Sequence, residues 1–287
     1  MLKKTDTKIA ICFWGITRSL KLTLPSIEEY IFKPLKKANI LYDIYIHTYI
    51  VSDIYSNPRA GEASIKLDNN EYKLLNPYKY SIEDQNSIDA SIQFNKYELK
   101  GDPWKKYNSY DNYLSYSKKS FYNHIRALRS LKQVTCMWQN NSTDYSHIVY
   151  CRPDVTYITP FNISWLSSSN SIYIPNFGRY GKNRLKLNDR FAIGRPEQMK
   201  IYGNRFNEAL QYSKKHQLHS ETFLADILKK NKIHIKFIEF GFIRTRANGN
   251  LADIDIKELV QKRWYTRKQA NRVQRAYTRK VRILSTT

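Results

Sequence analysis

Short apolar runs alternate with longer amphipathic stretches along most of the chain. The run from Lys8 to Gly15 reads KIAICFWG, the pattern of a buried strand that ends at a glycine. Apolar residues then recur at helical spacing, at Leu20, Leu24, Ile27 and Ile31. A second apolar run covers Tyr42 to Tyr49. This β-α-β opening predicts a parallel sheet with a right-handed crossover connection.

The middle of the chain has a weaker pattern. From Ser52 to about Asp111 the sequence is polar and is interrupted by prolines and glycines, which predicts long loops and short helices. Helical spacing returns from Tyr113 to Trp138, and this helix leads into a third strand, Ser146 to Cys151. Ser171 to Pro175 has the pattern of a further strand.

The second half of the chain continues the alternation. A loop rich in glycine and arginine is expected from Gly178 to Arg184, ahead of a mixed segment from Leu187 to Gly194. Two helices and a strand then follow, at Glu197 to Tyr212 behind Pro196, at Ser220 to Leu228, and at His234 to Phe240. The sequence therefore predicts an α/β fold, with a mostly parallel, Rossmann-like sheet flanked by helices.

We expect one domain over residues 1–255 and a basic C-terminal helical tail over residues 256–287. Between Lys262 and Arg282 the tail is rich in lysine and arginine and contains no acidic residue, and apolar residues are interspersed. A basic amphipathic helix is the expected structure. It could pack on the domain, extend from it, or contact a polyanion such as an anionic membrane surface.

Charge draws this protein toward polyanions. The chain has 48 Lys and Arg against 25 Asp and Glu, a net charge of +23. Its richness in Lys, Asn, Ile and Tyr together is also what a biased genomic base composition would give. A basic nucleic-acid-binding protein is thus one alternative, supported by the charge and by an aromatic content of 14%. The interior segments lack a nucleic-acid-binding signature, so we expect no specific nucleic acid partner.

Targeting signals and cysteine chemistry are not evident in the sequence. No apolar run is long enough to span a membrane, and the first residues lack the core of a signal peptide. Cys12, Cys136 and Cys151 are odd in number and widely spaced, which favours reduced thiols over a disulfide framework or a zinc site. A cytoplasmic location is expected.

Polar and charged residues follow the predicted strands. Thr17 and Arg18 come after the first strand, His47 lies near the end of the second, and Arg152-Pro153-Asp154 follows the third. Ligands of open α/β sheets bind outside the carboxyl ends of the strands, so these residues are expected to share a pocket. A tight turn with a surface arginine is the simpler reading of Arg18, and a turn cap is the simpler reading of Asp154.

The chemistry of these residues suits a diphosphate. Gly15, Thr17 and Arg18 offer backbone N–H groups at a helix start and a guanidinium. Asp154 could hold Mg²⁺ or Mn²⁺ against phosphate oxygens. No Walker loop, dinucleotide fingerprint or serine-nucleophile elbow occurs, which disfavours common nucleotide hydrolases, dehydrogenases and α/β-hydrolases.

Several segments together resemble a known enzyme family. In chain order they are FWGITRSL, YDIYIHTY, YNHIRALRSL, YSHIVYCRPDVTYITPF, LNDRFAIGRPEQMKIYGNRF, SETFLADILKKNKIHI and FIRTRANG. The sequence from about Lys8 to Gly249 resembles the GT-A-fold glycosyltransferases encoded by large DNA viruses of algae and amoebae, and bacterial surface-polysaccharide transferases share parts of it. The basic tail lies outside the resemblance.

The resemblance implies a glycosyltransferase in a host cytoplasm that moves a sugar from a nucleotide-diphosphate donor, usually UDP-linked, to a glycan or glycoprotein acceptor. It also implies a divalent cation, Mn²⁺ or Mg²⁺, on an Asp-x-Asp motif. Arg152 replaces the first carboxylate of that motif, and Asp154 remains as the metal ligand. This departure leaves a catalytically inactive, assembly-related protein as a further alternative. The donor-binding candidates are Gly15, Thr17, Arg18, His47, Arg126, Arg152, Asp154, Arg244 and Arg246.

An inverting sugar transfer needs one carboxylate as a general base. Glu221 and Asp189 are the candidates. Glu221 stands at the start of a late helix, where the resemblance implies the base, so it is preferred. Asp189 could instead bind the donor sugar or the acceptor, and a favourable charge at a helix N-terminus is the simpler reading of Glu221.

Overall fold

The computed structural model describes residues 8–51, 54–57, 60–101, 113–167, 169–179 and 185–286, with side chains omitted for 113–119 and 284–286. Within them lies a seven-stranded sheet. In chain order its strands are β1 (Lys8–Trp14), β2 (Leu41–Ile50), β5 (Lys79–Asp84), β6 (His147–Cys151), β8 (Ser171–Pro175), β9 (Phe191–Gly194) and β10 (His234–Ile238). Across the sheet they lie in the order β10-β8-β9-β6-β1-β2-β5. Two small antiparallel pairs accompany it: β3 (Tyr55–Asn57) with β4 (Glu62–Ile65), and β7 (Val155–Tyr157) with β11 (Phe242–Arg244).

Helices cover the sheet and follow the strands. They are α1 (Leu20–Ile27), which continues through a π-helical turn (Glu28–Phe32) into α2 (Lys33–Lys37), α3 (Gln85–Ser91), α4 (Tyr113–Gln139), α5 (Pro196–Gly203), α6 (Phe206–Ser213), α7 (Ser220–Lys230), α8 (Asp253–Gln261) and α9 (Arg267–Thr286). Short 3-10 turns lie at Glu71–Leu75, Phe94–Tyr97 and Ile163–Trp165.

The predicted α/β class is confirmed, and the sheet is mostly parallel. β1 pairs in parallel with β2 on one side and with β6 on the other. β9 is the exception, because it runs antiparallel to both β6 and β8. The central strands are apolar on both faces because helices cover both, and every residue of β6 is buried.

Two sequence predictions need correction. The sequence predicts loops and short helices from Ser52 to about Asp111, and the segment does hold α3 and two 3-10 turns, but it also contributes the β3–β4 hairpin and the edge strand β5. The residues of β5 are exposed or half-buried and mostly polar, so no apolar run marks this strand. The helix expected from Glu197 to Tyr212 is two helices, α5 and α6, which meet at Asn204 and Arg205. The expected loop from Gly178 to Arg184 lies partly outside the described residues, at 180–184.

The C-terminal segment packs on the domain. The expected boundary at residue 255 falls inside α8, whose Ile256 and Leu259 are buried in the main core. α9 contributes Ala270, which is 1% exposed, to the same core. Tyr277 of α9 bonds Thr156 through their hydroxyl groups at 2.8 Å. The helical tail that the sequence predicts is therefore joined to the core through one face.

Candidate functional site

The order of the strands fixes where a ligand can bind. β2, which follows β1 in the chain, pairs with one edge of β1, whereas the later strand β6 pairs with the other edge. This change of direction is a topological switch point, and the crevice outside the carboxyl ends of such strands is where open α/β sheets bind ligands. Gly15 to Arg18 leave β1 at this edge, and Arg152 to Asp154 leave β6 beside them.

A carboxylate between two guanidinium groups stands at this edge. Arg152 donates from Nε to Oδ1 of Asp154 at 2.9 Å and from Nη2 to Oδ2 at 2.9 Å. Arg18 donates from Nη2 to the same Oδ2 at 2.8 Å. Burial would raise the pKa of Asp154, but the charges of Arg152 and Arg18 outweigh it and hold the pKa well below its usual range. Asp154 is therefore ionised and fixes both arginines.

The turn after β1 requires a glycine. Gly15 has a φ of +92°, and a Cβ on it would lie 2.7 Å from Nη1 of Arg152. Its N–H donates to Oγ of Ser130 in α4 at 2.8 Å. The Arg152 guanidinium also lies 5.8 Å from the centre of the Trp14 ring. The backbone of the turn and the side chain of Arg152 thus fit closely against each other.

Arg18 has two more partners on the β3–β4 hairpin. Its Nη1 donates to Oε2 of Glu62 at 3.0 Å and also bonds the hydroxyl of Tyr55. Glu62 is fully buried, and its Oε1 accepts from the N–H of Ala247 at 2.6 Å. Sequence reasoning missed Glu62, because it lies in a polar segment without a pattern. It joins the hairpin, Arg18 and the loop after β11.

Arg244 and Arg246 lie near the Arg18–Asp154–Arg152 group, and each has different neighbours. Arg244 is bound by Asp255 of α8, with Nη2 at 2.7 Å from Oδ1. Arg246 lies near Arg18, Glu62 and Asp154, and burial together with the charges of Arg18 and Arg244 lowers its pKa to about 10. Arg18 and Arg152 are bonded to two carboxylates, those of Glu62 and Asp154, and Arg246 lies within the range of their charges. With three guanidinium groups against two carboxylates, a bound anion would be stabilised there.

The cleft has two parts, which both include Arg18, Arg152 and Asp154. The first part is lined by polar and aromatic side chains, among them Tyr49, Tyr55, Asn57, Asn123 and Arg126. Arg126 is held by Asp89, with Nε at 2.8 Å from Oδ1. We call this part the β2-side half, because Tyr49 comes from β2 and Tyr55 and Asn57 come from the hairpin after it.

The second part, the β9-side half, contains buried polar atoms that make no hydrogen bond in the described structure. Oδ1 of Asp189 and Nε of Arg205 are among them. Asp189 and Arg190 directly precede β9, and Arg205 lies between α5 and α6. His124, Ser220 and Arg244 line this half as well. Buried polar atoms are normally paired, so this half is suited to a polar ligand with both donors and acceptors.

Asp189 is ionised in this setting. Burial alone would raise its pKa, but the charges of Arg190 and Arg205 lower it below the usual value. Nη1 of Arg190 lies 3.5 Å from Oδ1 of Asp189. Burial lowers the pKa of His124 to about 3, so this imidazole is neutral near pH 7. Asp189 is therefore an ionised carboxylate that lines the cleft.

Glu221 lies in the first turn of α7, as the sequence predicts, but its side chain is held by protein groups. Its Oε2 accepts from the hydroxyl of Ser220 at 2.7 Å and lies 3.2 Å from Nε2 of His219. Its Oε1 lies 3.6 Å from Nη2 of Arg190. The side chain is buried, and Ser220, its neighbour, is the residue that lines the β9-side half. Both oxygens of Glu221 are engaged with protein groups.

Two other candidates lie behind the cleft surface. His47 is fully buried, with Nδ1 2.8 Å from Oγ of Ser130 and Nε2 2.8 Å from Oε2 of Glu83. Burial lowers its pKa more than Glu83 raises it. Thr17 is 3% exposed, and its carbonyl accepts from the N–H of Leu20 at the start of α1. Both residues support the turn after β1 and do not line the two cavities.

The donor atoms near Asp154 do not suit a divalent cation. Both oxygens of Asp154 are bonded by guanidinium groups. Among the residues that the structure describes, no three His, Cys, Asp or Glu side chains cluster. Arginine occupies the place of the first carboxylate of the expected motif. The arrangement favours neutralisation of an anion by arginine.

Comparison with known proteins does not assign a family to this chain. No protein-family model matches the chain, and no curated protein matches it significantly. Among the described residues no helix is long and apolar enough to cross a membrane. The function must therefore be inferred from the switch-point cleft, with its guanidinium–carboxylate–guanidinium group and the buried polar side chains of its β9-side half.

Proposed function

We propose that this protein is a glycosyltransferase that uses a nucleotide-diphosphate sugar, with the GT-A-like fold that the sequence resembles. The observation that carries the proposal is the group formed by Arg18, Asp154 and Arg152 at the switch point of the sheet. Two fixed guanidinium groups, with Arg246 nearby, offer the positive charge and the hydrogen-bond donors that a diphosphate needs. The polar β9-side half beside them suits a sugar and an acceptor hydroxyl.

The diphosphate is the leaving group in this proposal. As the bond between the anomeric carbon and the phosphate oxygen breaks, negative charge grows on the departing nucleoside diphosphate. Arg18, Arg152 and Arg246 stabilise that charge, and Asp154 keeps the first two in place. The nucleoside lies in the β2-side half, where Tyr49 and Tyr55 offer aromatic surfaces. UDP is the first nucleotide to test, on the resemblance.

Asp189 is the proposed base, in preference to Glu221. The acceptor hydroxyl gives its proton to the Asp189 carboxylate, its oxygen bonds to the anomeric carbon, and the diphosphate leaves with the bonding electrons. A base must lie within hydrogen-bond reach of the acceptor, and Asp189 lines the cleft. Glu221 holds Arg190 and His219 instead, which positions the segment that carries Asp189.

A donor panel tests the proposal directly. The full-length protein is incubated with UDP-, GDP- and dTDP-sugars, and donor hydrolysis and thermal stabilisation are measured. Selective stabilisation by one nucleotide diphosphate, lost in Arg18→Gln, is the expected result. Equal stabilisation by any oligonucleotide, abolished by salt, would favour the nucleic-acid-binding alternative. Binding of the donor without any turnover would favour an inactive protein of the same fold.

A further inference from the structure

The exposed side of α9 carries a single row of cations. Lys268, Arg272, Arg275, Arg279 and Arg282 follow one another at intervals of four and three residues, so they lie on one face of the helix. All five side chains are exposed. The row spans about 21 Å at 1.5 Å per residue. We call these five residues the α9 stripe.

The opposite face of α9 is occupied by the domain itself. Ala270 is buried, and Val273 and Tyr277 pack against the main core. Gln274 accepts from the N–H of Leu251 at 2.8 Å and donates to the carbonyl of Gly249 at 3.1 Å. The helix is therefore fixed in orientation, and the stripe points away from the domain. The apolar face of α9 packs against the core, so the stripe is on the face of the helix that is turned to solvent.

The composition of the stripe suits a planar anionic surface. The chain from Lys262 to the end contains no acidic residue, so the attraction is not reduced by neighbours in sequence. Each lysine or arginine held at an anionic lipid surface adds to binding at low and physiological salt. A rigid straight row lets all five cations reach one plane together, which a mobile tail would do only with a loss of conformational entropy.

The side chains beside the stripe favour lipid over nucleic acid. Ile283, which follows the last arginine of the stripe, is 63% exposed and aliphatic. An aliphatic side chain can enter the interfacial region of a bilayer, whereas single-stranded nucleic acid is bound through exposed aromatic rings. The aromatic residues of this segment, Trp264, Tyr265 and Tyr277, pack against the core.

We propose that the α9 stripe docks the protein on an anionic phospholipid surface, with the row of cations against the headgroups. The attachment is peripheral, since the apolar face of α9 is used within the domain. It is independent of the proposed sugar transfer, because none of the five stripe residues lines the cleft.

Vesicle binding by the full-length protein tests this proposal. Wild type should sediment with vesicles of phosphatidylglycerol and phosphatidylcholine and not with phosphatidylcholine alone. The variant Arg272→Glu/Arg275→Glu/Arg279→Glu should bind at least about 100-fold more weakly. The matched control Lys36→Glu/Lys37→Glu/Lys232→Glu changes the net charge equally at exposed sites elsewhere and should retain most of the binding.

Two further variants separate loss of charge from loss of folding, and lipid binding from nucleic-acid binding. The variant Arg272→Gln/Arg275→Gln/Arg279→Gln removes charge without adding acid, and an unchanged melting temperature shows that it is folded. Ile283→Ser should weaken vesicle binding and leave binding to a duplex oligonucleotide unchanged. Equal loss in the stripe and control variants would overturn the proposal. So would tighter, stripe-dependent binding to duplex DNA than to vesicles, which would assign the surface to nucleic acid.

Discussion

At the residue scale, the carboxylates around the cleft differ in what they are bonded to. Asp154, Glu62 and Asp255 each hold an arginine that approaches the cleft. Oδ1 of Asp189 makes no hydrogen bond within the described structure and lies in a longer ion pair, 3.5 Å from Nη1 of Arg190. A carboxylate that is hydrogen-bonded to an arginine acts on the shape of the cleft, whereas a more weakly held carboxylate that lines the cleft can act on a ligand. The distinction separates positioning residues from the proposed base.

Asp189→Asn and Glu221→Gln distinguish the two candidate bases. Removal of the base should lower kcat by on the order of 100-fold or more while donor affinity stays nearly unchanged, because the carboxylate acts on the proton in transfer. We expect this result for Asp189→Asn. Glu221→Gln should have a milder effect, through Arg190. Turnover and donor affinity of both variants are the measurements, and a reversal of the two results would return the role to Glu221.

Glu83 provides a pH-dependent contribution to stability. Burial opposes its ionisation, but hydrogen bonds from His47 and Arg129 outweigh this and lower its pKa to about 2. Because the folded-state pKa is below the unfolded one, the stabilisation is present above about pH 4.5 and is lost as pH falls toward 2. Glu83→Gln should therefore be less stable than wild type at pH 7, and the difference in their free energies of unfolding should become smaller in acid. Urea unfolding of both proteins at pH 7 and pH 3 measures this difference. A difference that grows in acid would contradict the assignment of this stabilisation to ionised Glu83.

At the element scale, the turn after β1 is the junction on which the cleft depends. Gly15 must adopt a positive φ and must also leave room for Arg152. The same turn is bonded to Ser130 of α4, which in turn bonds His47 of β2. A change in this turn therefore reaches the arginines of the cleft and the packing of α4 on the sheet.

Gly15→Ala should destabilise the protein by about 2–4 kcal/mol, because it combines backbone strain with a contact against a fixed guanidinium. It should also weaken UDP binding by displacing Arg152. Gly61→Ala is the matched control, since Gly61 also has a positive φ, of +68°, but a Cβ there meets nothing within 4 Å. The control should lose only about 1 kcal/mol. Denaturant unfolding and UDP titration of both variants would show whether the contact with Arg152 matters; equal effects would argue that it does not.

Removal of residues 267–287 tests whether α9 is part of the fold. The helix buries Ala270 and packs Val273, Tyr277 and Val281 on the domain. Loss of these contacts should lower the free energy of unfolding by about 3 kcal/mol or more. Chemical denaturation of the shortened chain is the measurement. Unchanged stability would mean that α9 is an appended tail.

The sequence predicts the central elements better than the edges. β1, β2, β6 and β8 follow from apolar runs, because strands covered on both faces must be apolar. β10 is a largely exposed edge strand, yet its alternation of apolar and polar residues still predicts it. β5 is a polar edge strand and has no such pattern. The residues at the ends of β1 and β6 could be predicted as a shared site from the topology of parallel sheets. Glu62 could not, because its burial depends on a hairpin that folds over Arg18 from 44 residues away.

At the scale of the whole molecule, charge acts on several surfaces at once. A net charge of +23 raises the affinity for any anion at low salt. Selective binding of the donor should come from the cleft, where arginines are fixed by carboxylates. Nonselective binding of anions should come from exposed surfaces such as the α9 stripe, and salt should reduce this nonselective binding more strongly than donor binding.

Chelation is expected to leave donor binding intact. Because both oxygens of Asp154 are bonded by arginines, UDP affinity should change by less than about twofold when EDTA replaces Mn²⁺. Isothermal titration in the two buffers is the measurement, with Arg152→Gln as the variant that should lose affinity. A large loss on chelation that Mn²⁺ restores would show that a cation displaces one of the arginines.

The placement of β9 has a consequence for the proposed base. β9 is the hydrogen-bonded link between the β5-β2-β1-β6 half of the sheet and the β8-β10 pair, although β6 and β8 both precede it in the chain. The sheet is therefore continuous only when residues 191–194 are in place between the two halves. Asp189 and Arg190 stand directly before that strand. The same four residues thus join the halves of the sheet and hold the proposed base beside the arginines at the ends of β1 and β6.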